Sequence, residues 1–187
     1  MSNFRLFYGT MGSGKSTYVL QLRHTLEREG FKPILLKPSF DTRDEEFVRS
    51  RIGIEHPAVL IGPNEDLFAK RDILSSTHII VDEAQFLSDK NIDDLAFLAD
   101  HLDKNVDCFG LRTAYTGRLF DATAYLMAIV DELVELPMTY KYGKKSIMHV
   151  RYVDGKPIFS GKAEFVGDID EEYESVSRKQ WMLLKNK

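Results

Sequence analysis

A glycine-rich segment near the start of the chain carries residue types that can bind phosphate groups. The run Gly9-Thr10-Met11-Gly12-Ser13-Gly14-Lys15-Ser16 matches the pattern G-x-x-x-x-G-K-[ST]. Glycines let backbone N–H groups approach phosphate oxygens, and a helix beginning here adds positive potential. Lys15 can then reach the β- and γ-phosphates of a nucleotide, while Ser16 can ligate Mg²⁺. The run therefore predicts a nucleotide-phosphate site, which extends to Thr17.

Two adjacent carboxylates follow a later apolar run and can complete such a site. Residues 78–81 read His-Ile-Ile-Val, and Asp82 and Glu83 come directly after them. Ligands of open α/β sheets bind where the strands end. Asp82 can hold Mg²⁺ there, directly or through water, and Glu83 can take a proton from an attacking hydroxyl or water. Ala84 and Gln85 are included in the predicted nucleotide site.

Alternating apolar and amphipathic segments supply the elements that position these groups. The apolar runs 4–8, 33–36, 59–61, 78–81, 106–111 and 132–136 predict strands. The segments 16–28, 92–102 and 121–130 predict helices, the last with Asp121 as its N-cap. This alternation is typical of a parallel sheet covered by helices. We predict a three-layer, P-loop NTPase-like α/β domain over residues 1–137.

The pattern changes after Pro137. Residues 146–152 and 157–160 flank Asp154-Gly155, and this dipeptide favours the positive φ angles of a tight hairpin turn. We predict a small β-rich lobe over residues 138–187.

Composition limits the classes of function. The 187 residues suffice for one core with a small lobe, which excludes a helicase with two such domains. The chain has no apolar stretch of about 20 residues and its start lacks the features of a secretory signal, so we expect a cytoplasmic protein without a membrane partner. A net charge of -4 argues against a nucleic-acid partner. The single cysteine, Cys108, excludes an intrachain disulfide and is expected to be a small buried residue.

Several ordered segments resemble the thymidine kinases of the bacterial and phage type, the family that also includes the cytosolic vertebrate enzymes. The segments are the glycine-rich run, Lys37-Pro38 with Asp41-Thr42-Arg43, Ser50-Arg51-Ile52-Gly53, Val81-Asp82-Glu83-Ala84-Gln85-Phe86, Gly110-Leu111-Arg112-Thr113, Leu133-Val134-Glu135-Leu136, and Tyr173 with Ser177-Arg178-Lys179. They occur in the family's order over nearly the whole chain. This ordered set is more specific than either phosphate-site motif.

The resemblance implies a reaction and its residues. It implies Mg²⁺-dependent transfer of the ATP γ-phosphoryl group to the 5′-hydroxyl of thymidine, with Glu83 as general base. Lys15 and Arg43 would stabilise the transferring phosphoryl group. In the family a loop of the small lobe covers the base, here within 159–173. The residues predicted to contact the nucleoside are Met11, Phe86, Tyr115, Val166, Gly167 and Tyr173. The partners implied are ATP and a deoxynucleoside, and the assembly implied is a homotetramer.

Two departures from the family pattern qualify these expectations. The chain has Ala114 and Tyr115 where the family has an acidic residue and a phenylalanine. We expect the added hydroxyl of Tyr115 to face substrate, so a closely related pyrimidine deoxynucleoside stays open as the acceptor. The places of the family's zinc ligands hold Tyr140, Tyr142, Ser177 and Gln180. These are poor zinc ligands, so we expect no zinc and instead packing by Tyr140, Tyr142 and Trp181. His149 is expected to be packed or solvated rather than metal-bound.

The phosphate-site motifs alone leave two other classes of function open. A P-loop ATPase would couple hydrolysis to motion or assembly, with Glu83 activating water in place of a sugar hydroxyl. A non-catalytic nucleotide sensor would bind nucleotide without turnover, which the altered segment 110–117 permits.

Overall fold

The computed structural model describes residues 3–39, 46–140, 143–161 and 172–186. Arg43, Val166 and Gly167 were predicted to contact substrates and lie outside the described residues, as does Tyr142. Their roles stay predictions. Nothing is described of the Tyr140 side chain either.

The described chain alternates strands and helices over its first two thirds. The strands are β1 (Phe4–Gly9), β2 (Pro33–Pro38), β3 (Phe47–Arg49), β4 (Glu55–Pro57), β5 (Val59–Ile61), β6 (His78–Val81), β7 (Asn105–Leu111), β8 (Glu132–Glu135), β9 (Met138–Tyr140), β10 (Lys144–Ser146), β11 (Met148–Val153), β12 (Lys156–Ile158) and β13 (Glu172–Val176). The α-helices are α1 (Lys15–Arg28), α2 (Arg71–Ser75), α3 (Asp89–Leu102), α4 (Asp121–Ile129) and α5 (Arg178–Lys185).

A six-stranded sheet of order β5-β2-β6-β7-β1-β8 forms the centre of the described residues. Every neighbouring pair in it is parallel. Successive side chains of a strand point to opposite faces, and the apolar residues obey this rule. Leu6, Ile79 and Cys108 pack with residues of α3 and α4, whereas Phe7, Ile80 and Phe109 pack with residues of α1. The predicted three-layer α/β fold is therefore confirmed.

The small lobe is built around an antiparallel sheet of order β12-β11-β13. Asp154 and Gly155 have φ angles of 49° and 72° and join β11 to β12, so the predicted hairpin is present. The third strand, β13, pairs along the other side of β11. The central residues Met148, Val150, Val176 and Trp181 form a separate apolar cluster. The lobe thus has its own small core.

Trp181 joins this cluster to the large domain. Its side chain is buried, and its ring packs edge-on against Phe159 at 5.3 Å between centroids. The indole N–H donates to the carbonyl oxygen of Tyr115 at 3.2 Å. Gly117 has a φ of 81°, and a Cβ there would lie 2.7 Å from the indole ring. Only a glycine therefore lets the chain turn this close to Trp181.

Some element boundaries differ from the predictions. Asp121 is not the N-cap of α4 but its first residue; Phe120 precedes it as the cap and makes no side-chain cap bond. An acidic side chain is still favourable there because the helix N-terminus carries positive potential. Helix α3 begins earlier than predicted because Ser88 and Asn91 form a capping box. The β3–β4 and β9–β10 pairs and α2, β13 and α5 were not predicted at all, since short elements show little periodicity.

Candidate active site

The glycine-rich run connects β1 to α1 as a phosphate-binding loop requires. Gly12 and Gly14 have φ angles of 79° and 83°, a left-handed conformation that favours glycine. A Cβ on Gly9 would lie 2.5 Å from the Ser13 hydroxyl oxygen and 2.6 Å from the Leu136 carbonyl oxygen. The first backbone amides of α1 lack intrahelical acceptors and are therefore able to bind an anion. The Ser13 hydroxyl oxygen is buried and has no partner within the described parts of the chain.

Lys15 lies at the first residue of α1 and is buried. Its Nζ atom donates to the carbonyl oxygen of Thr10 at 2.8 Å, so the side chain folds back over the loop. Burial lowers the pKa of Lys15, and the charges of Glu83 and Asp82 oppose that shift. The loop lysine and the two carboxylates thus share one electrostatic site, as the motifs predicted.

Asp82 follows β6 and is 4% exposed. Burial, and next the neighbouring charge of Glu83, raises its pKa to about 7. The Ser16 hydroxyl hydrogen-bonds to the Asp82 carboxylate, while Asp82 Oδ1 has no partner among the residues that the structure describes. A buried carboxylate with an orphaned oxygen beside a hydroxyl is a fitting donor set for a hard cation such as Mg²⁺.

Glu83 has a φ of 56°, a left-handed conformation that is strained for a residue with a side chain. Its Oε2 atom accepts a hydrogen bond from the Gln85 amide at 2.6 Å. The Gln85 Oε1 atom in turn accepts from the backbone N–H of Leu111 at 3.0 Å. The buried Gln85 therefore ties Glu83 to the end of β7. Sequence reasoning placed Gln85 only in the nucleotide site and missed this link.

The other predicted residues near the motifs lie in different environments. Ala84 is fully buried in the core, so any contact it makes with a nucleotide would come from its backbone. Thr17 lies in the first turn of α1 and is half-buried. Met11 and Phe86 each pack against an apolar cluster formed by Leu111, Ala114 and Phe120. The rings of Phe86 and Phe120 meet edge to face at 5.9 Å.

Tyr115 and Tyr173 are brought together across the junction with the small lobe. Their ring centroids lie 6.5 Å apart. Tyr115 is only 2% exposed, and its hydroxyl donates to the carbonyl oxygen of Ser160 at 3.3 Å. The hydroxyl of Tyr115 was expected to face substrate, but this bond directs it to the small lobe. Arg151 lies over the Tyr115 ring at 5.3 Å.

Two residues near the phosphate-binding loop were not assigned a role from sequence. Arg51, in the β3–β4 turn, lowers the pKa of Lys15 by its charge, and its Nη1 atom would lie 3.6 Å from a Cβ built on Gly12. His149, on β11, is packed as expected, but against the loop itself: its Nε2 atom is 2.9 Å from the backbone N of Met11. Arg51 lies in a segment that carries the family resemblance, but nothing in that segment assigns it a role. No local motif marks His149, since its contacts join distant segments.

The places of the family's zinc ligands have other contacts where they are described. Ser177 is the N-cap of α5, and its hydroxyl oxygen accepts from the backbone N–H of Gln180 at 3.3 Å. In the described ranges, no group of three or more His, Cys, Asp or Glu side chains is arranged to hold a metal ion. Mg²⁺ needs fewer protein ligands because substrate phosphates complete its coordination. None of the helices in the described part of the chain is long and apolar enough to cross a membrane.

Comparisons with known proteins show the family to which this chain belongs. Residues 2–181 match the family model described as thymidine kinase. The chain is 37% identical to a thymidine kinase of Streptococcus thermophilus over 185 residues, covering 97% of this chain and 94% of the relative. It is also 37% identical to the thymidine kinase of Enterobacteria phage T4, covering 100% of this chain and 99% of the relative. A Lactococcus lactis thymidine kinase is 35% identical, with 97% of both chains covered. The chain therefore belongs to the thymidine kinase family of enzymes.

Proposed function

We propose that this protein phosphorylates the 5′-hydroxyl of thymidine with ATP as the donor and Mg²⁺ as the cofactor. The observation that carries the proposal is the meeting of the phosphate-binding loop, Lys15 and the Asp82–Glu83 pair at one edge of the sheet, in a chain related over its length to thymidine kinases. Positioning and charge stabilisation supply most of the catalysis of phosphoryl transfer.

Asp82 and Ser16 are the residues that would hold Mg²⁺, because they supply the orphaned carboxylate oxygen and the neighbouring hydroxyl. When bound there, the ion would neutralise charge on the β- and γ-phosphates. A nearby cation also favours the ionised form of Asp82, which burial disfavours.

Glu83 is the proposed general base. Gln85 holds its Oε2 atom, which leaves Oε1 to take the proton of the sugar hydroxyl. The amides at the start of α1 and the ammonium of Lys15 would bind the donor phosphates. Arg43 would bind equatorial oxygens of the transferring group, a role that rests on family resemblance alone.

The nucleoside base is proposed to lie against the apolar surface of Met11 and Phe86. Tyr173 would stack on its other side, while Val166 and Gly167 would supply backbone hydrogen bonds. Tyr115 would act by supporting Tyr173 and the carbonyl of Ser160. Its neighbour Ala114 is buried in the apolar cluster, so the altered segment keeps an apolar wall beside the base.

The remaining proposals concern the setting of the reaction. The protein is proposed to work in the cytoplasm as a homotetramer, with ATP and a deoxynucleoside as its partners and neither nucleic acid nor membrane among them. These proposals rest on family resemblance and on composition.

A nucleoside panel tests the proposed function. The purified protein is incubated with ATP, Mg²⁺ and thymidine, deoxyuridine, deoxycytidine, deoxyadenosine or uridine, and the 5′-monophosphates are quantified. We expect the highest kcat/KM for thymidine and no phosphorylation of deoxyadenosine above background. A preference for deoxyuridine would change the acceptor but keep the reaction. Absence of phosphorylation of every pyrimidine deoxynucleoside would overturn the proposal.

A further inference from the structure

The small lobe holds both backbone polar groups of one residue in the phosphate-binding loop. The N–H of Met11 donates to Nε2 of His149 at 2.9 Å, and the carbonyl oxygen of Met11 accepts from the Ser175 hydroxyl at 2.8 Å. His149 and Ser175 are directly paired across β11 and β13. One cross-strand pair of the lobe therefore clamps a single loop residue from two sides.

The environment of His149 fixes its tautomer. Its Nδ1 atom is 2.9 Å from the carbonyl oxygen of Thr113, which can only accept a hydrogen bond, so Nδ1 carries the proton. Nε2 is then unprotonated and accepts from Met11. His149 is 2% exposed, and burial lowers its pKa to about 4; the charges of Lys15 and Arg112 act in the same direction, and the Thr113 carbonyl opposes them. The clamp is therefore fully formed at neutral pH.

The position of Met11 lets such a clamp act on the conformation of the whole loop. Met11 precedes two residues in left-handed conformation, Gly12 and Gly14, and glycines leave a loop pliable unless other contacts fix it. The Met11 side chain, like that of Phe86, packs against the apolar cluster beside the proposed base site. Ser175 lies two positions beyond Tyr173 on the same strand. The clamp thus joins the phosphate-binding loop to the strand that carries the proposed stacking residue.

We propose that His149 and Ser175 are positioning residues that hold the phosphate-binding loop in its binding conformation by clamping the backbone of Met11. Neither side chain touches the reacting atoms. Both act through Met11, and their main effect is on the affinity for the donor phosphates. The kinetic part of this inference rests on the proposed kinase reaction, whereas the clamp itself does not.

Two amide substitutions separate the two hydrogen bonds of His149. In His149→Gln the side-chain amide reaches the place of Nε2 and can still accept from Met11. In His149→Asn the amide occupies the place of Nδ1 and keeps only the bond to Thr113. We expect His149→Asn to raise the KM for ATP about tenfold with less than about a threefold change in the KM for thymidine, since a lost buried hydrogen bond is worth about that factor. His149→Gln should stay within about threefold of wild type.

Controls distinguish positioning from a general packing role. The exposed His24 on α1 is changed to Gln and to Asn as a matched pair and should leave both KM values unchanged. Ser175→Ala removes the other half of the clamp with little loss of volume and should also raise the KM for ATP. If His149→Asn and His149→Gln raise the KM for ATP equally, or if neither raises it, His149 only fills space and the inference is wrong.

Hydrogen exchange of the Met11 amide tests for the hydrogen bond to His149 independently of any enzymatic activity. In substrate-free protein, followed by NMR, the Met11 amide is expected to exchange at least about tenfold faster in His149→Asn than in wild type or His149→Gln. The same spectra should show His149 protonated at Nδ1. Unchanged exchange in both variants would overturn the clamp. Faster exchange in a protein that phosphorylates no nucleoside would support the clamp and overturn the proposed function instead.

Discussion

The phosphate edge, formed by residues 9–17 and 82–85, is built differently from the small lobe, whose described residues are 138–140, 143–161 and 172–186. At the phosphate edge, functional groups follow directly on β1 and β6, so chain connectivity alone brings them to one side of the sheet. In the small lobe, the important contacts join residues far apart in sequence. Ser175 binds Met11 across 164 positions, and Trp181 binds Tyr115 across 66. A local motif can encode the first region but not the second.

The two regions also differ in the kind of group that they bury. The phosphate edge buries Lys15 and Asp82, whose pKa values are shifted away from their ordinary ranges by the loss of water. The small lobe buries apolar side chains and a neutral histidine. Substitutions at the edge should therefore change turnover more than folding, and substitutions in the lobe should change folding or affinity more than chemistry.

Replacement of Glu83, the proposed general base, should give the largest effect. Glu83→Gln keeps the size of the side chain but cannot take a proton, so turnover is expected to fall about a thousandfold while ATP binding is largely retained. Steady-state kinetics and calorimetric titration with a non-hydrolysable ATP analogue measure the two quantities. The exposed Glu29→Gln is the matched control and should behave as wild type. Turnover unchanged in Glu83→Gln would remove Glu83 from the mechanism.

Loss of the buried indole should be the largest effect in the small lobe. Trp181→Ala removes the packing against Phe159 and the hydrogen bond to Tyr115, and we expect the free energy of unfolding to drop by about 4 kcal/mol. Denaturant unfolding measures this change. Met182→Ala, on the exposed side of the same helix, should lower stability by less than about 1 kcal/mol. Equal losses in the two variants would show that Trp181 does not hold the lobe.

Acid should weaken the lobe through His149. The pKa of His149 is about 4 in the folded protein, against an ordinary value of 6.5, so between these values the unfolded chain binds more protons. The stability supplied by neutral His149 is complete above pH 6.5 and is lost as the pH falls towards 4, by about 3 kcal/mol in total.

Denaturant unfolding between pH 4.5 and 7 compares wild type with His149→Gln, which lacks this titration. Other groups titrate in both proteins and cancel in the difference. The free energy of unfolding should fall more steeply with decreasing pH in wild type than in His149→Gln. Equal slopes in the two proteins would contradict the burial of a neutral His149.

A smaller effect is expected where an edge residue acts through its neighbour. Gln85→Leu keeps most of the volume but removes the donor to Glu83 and the acceptor for Leu111. We expect kcat to fall about tenfold because one buried N–H loses its partner and Glu83 loses its orientation. Kinetics with Gln21→Leu as the exposed control measure this effect. A wild-type kcat in Gln85→Leu would show that Glu83 is oriented by its strained backbone alone.

The sequence predicts which residues lie together at the phosphate edge because the proposed chemistry constrains their types. Gly12, Gly14 and Lys15 are needed for backbone geometry and charge, so their spacing is visible without a structure. The sheet was equally predictable, since buried strands are apolar runs and Cys108 lies in one of them. Burial raises the pKa of the Cys108 thiol, which suits the expected inert packing role.

The rest could not be predicted for physical reasons. The ring nitrogens of His149 hydrogen-bond to backbone groups. Every residue has these backbone groups, so the sequence contains no residue type that would mark the partners. Tyr115 was expected to turn its hydroxyl to substrate, but the carbonyl of Ser160 takes that bond. Helix α5 has only eight residues, so its apolar periodicity is too short to predict it, although Ser177 is a suitable N-cap. The expectation of a lobe without zinc stays a prediction.

The most direct test of the proposed reaction is its stoichiometry. Wild-type protein is supplied with Mg²⁺, thymidine and ATP labelled in the γ-phosphoryl group, and ADP, thymidine monophosphate and inorganic phosphate are counted together. A kinase edge formed by the phosphate-binding loop, Asp82 and Glu83 predicts one labelled thymidine monophosphate for each ADP, with little inorganic phosphate. ADP accompanied by an equal amount of inorganic phosphate and no labelled nucleotide would show that Glu83 activates water, and would contradict the assignment.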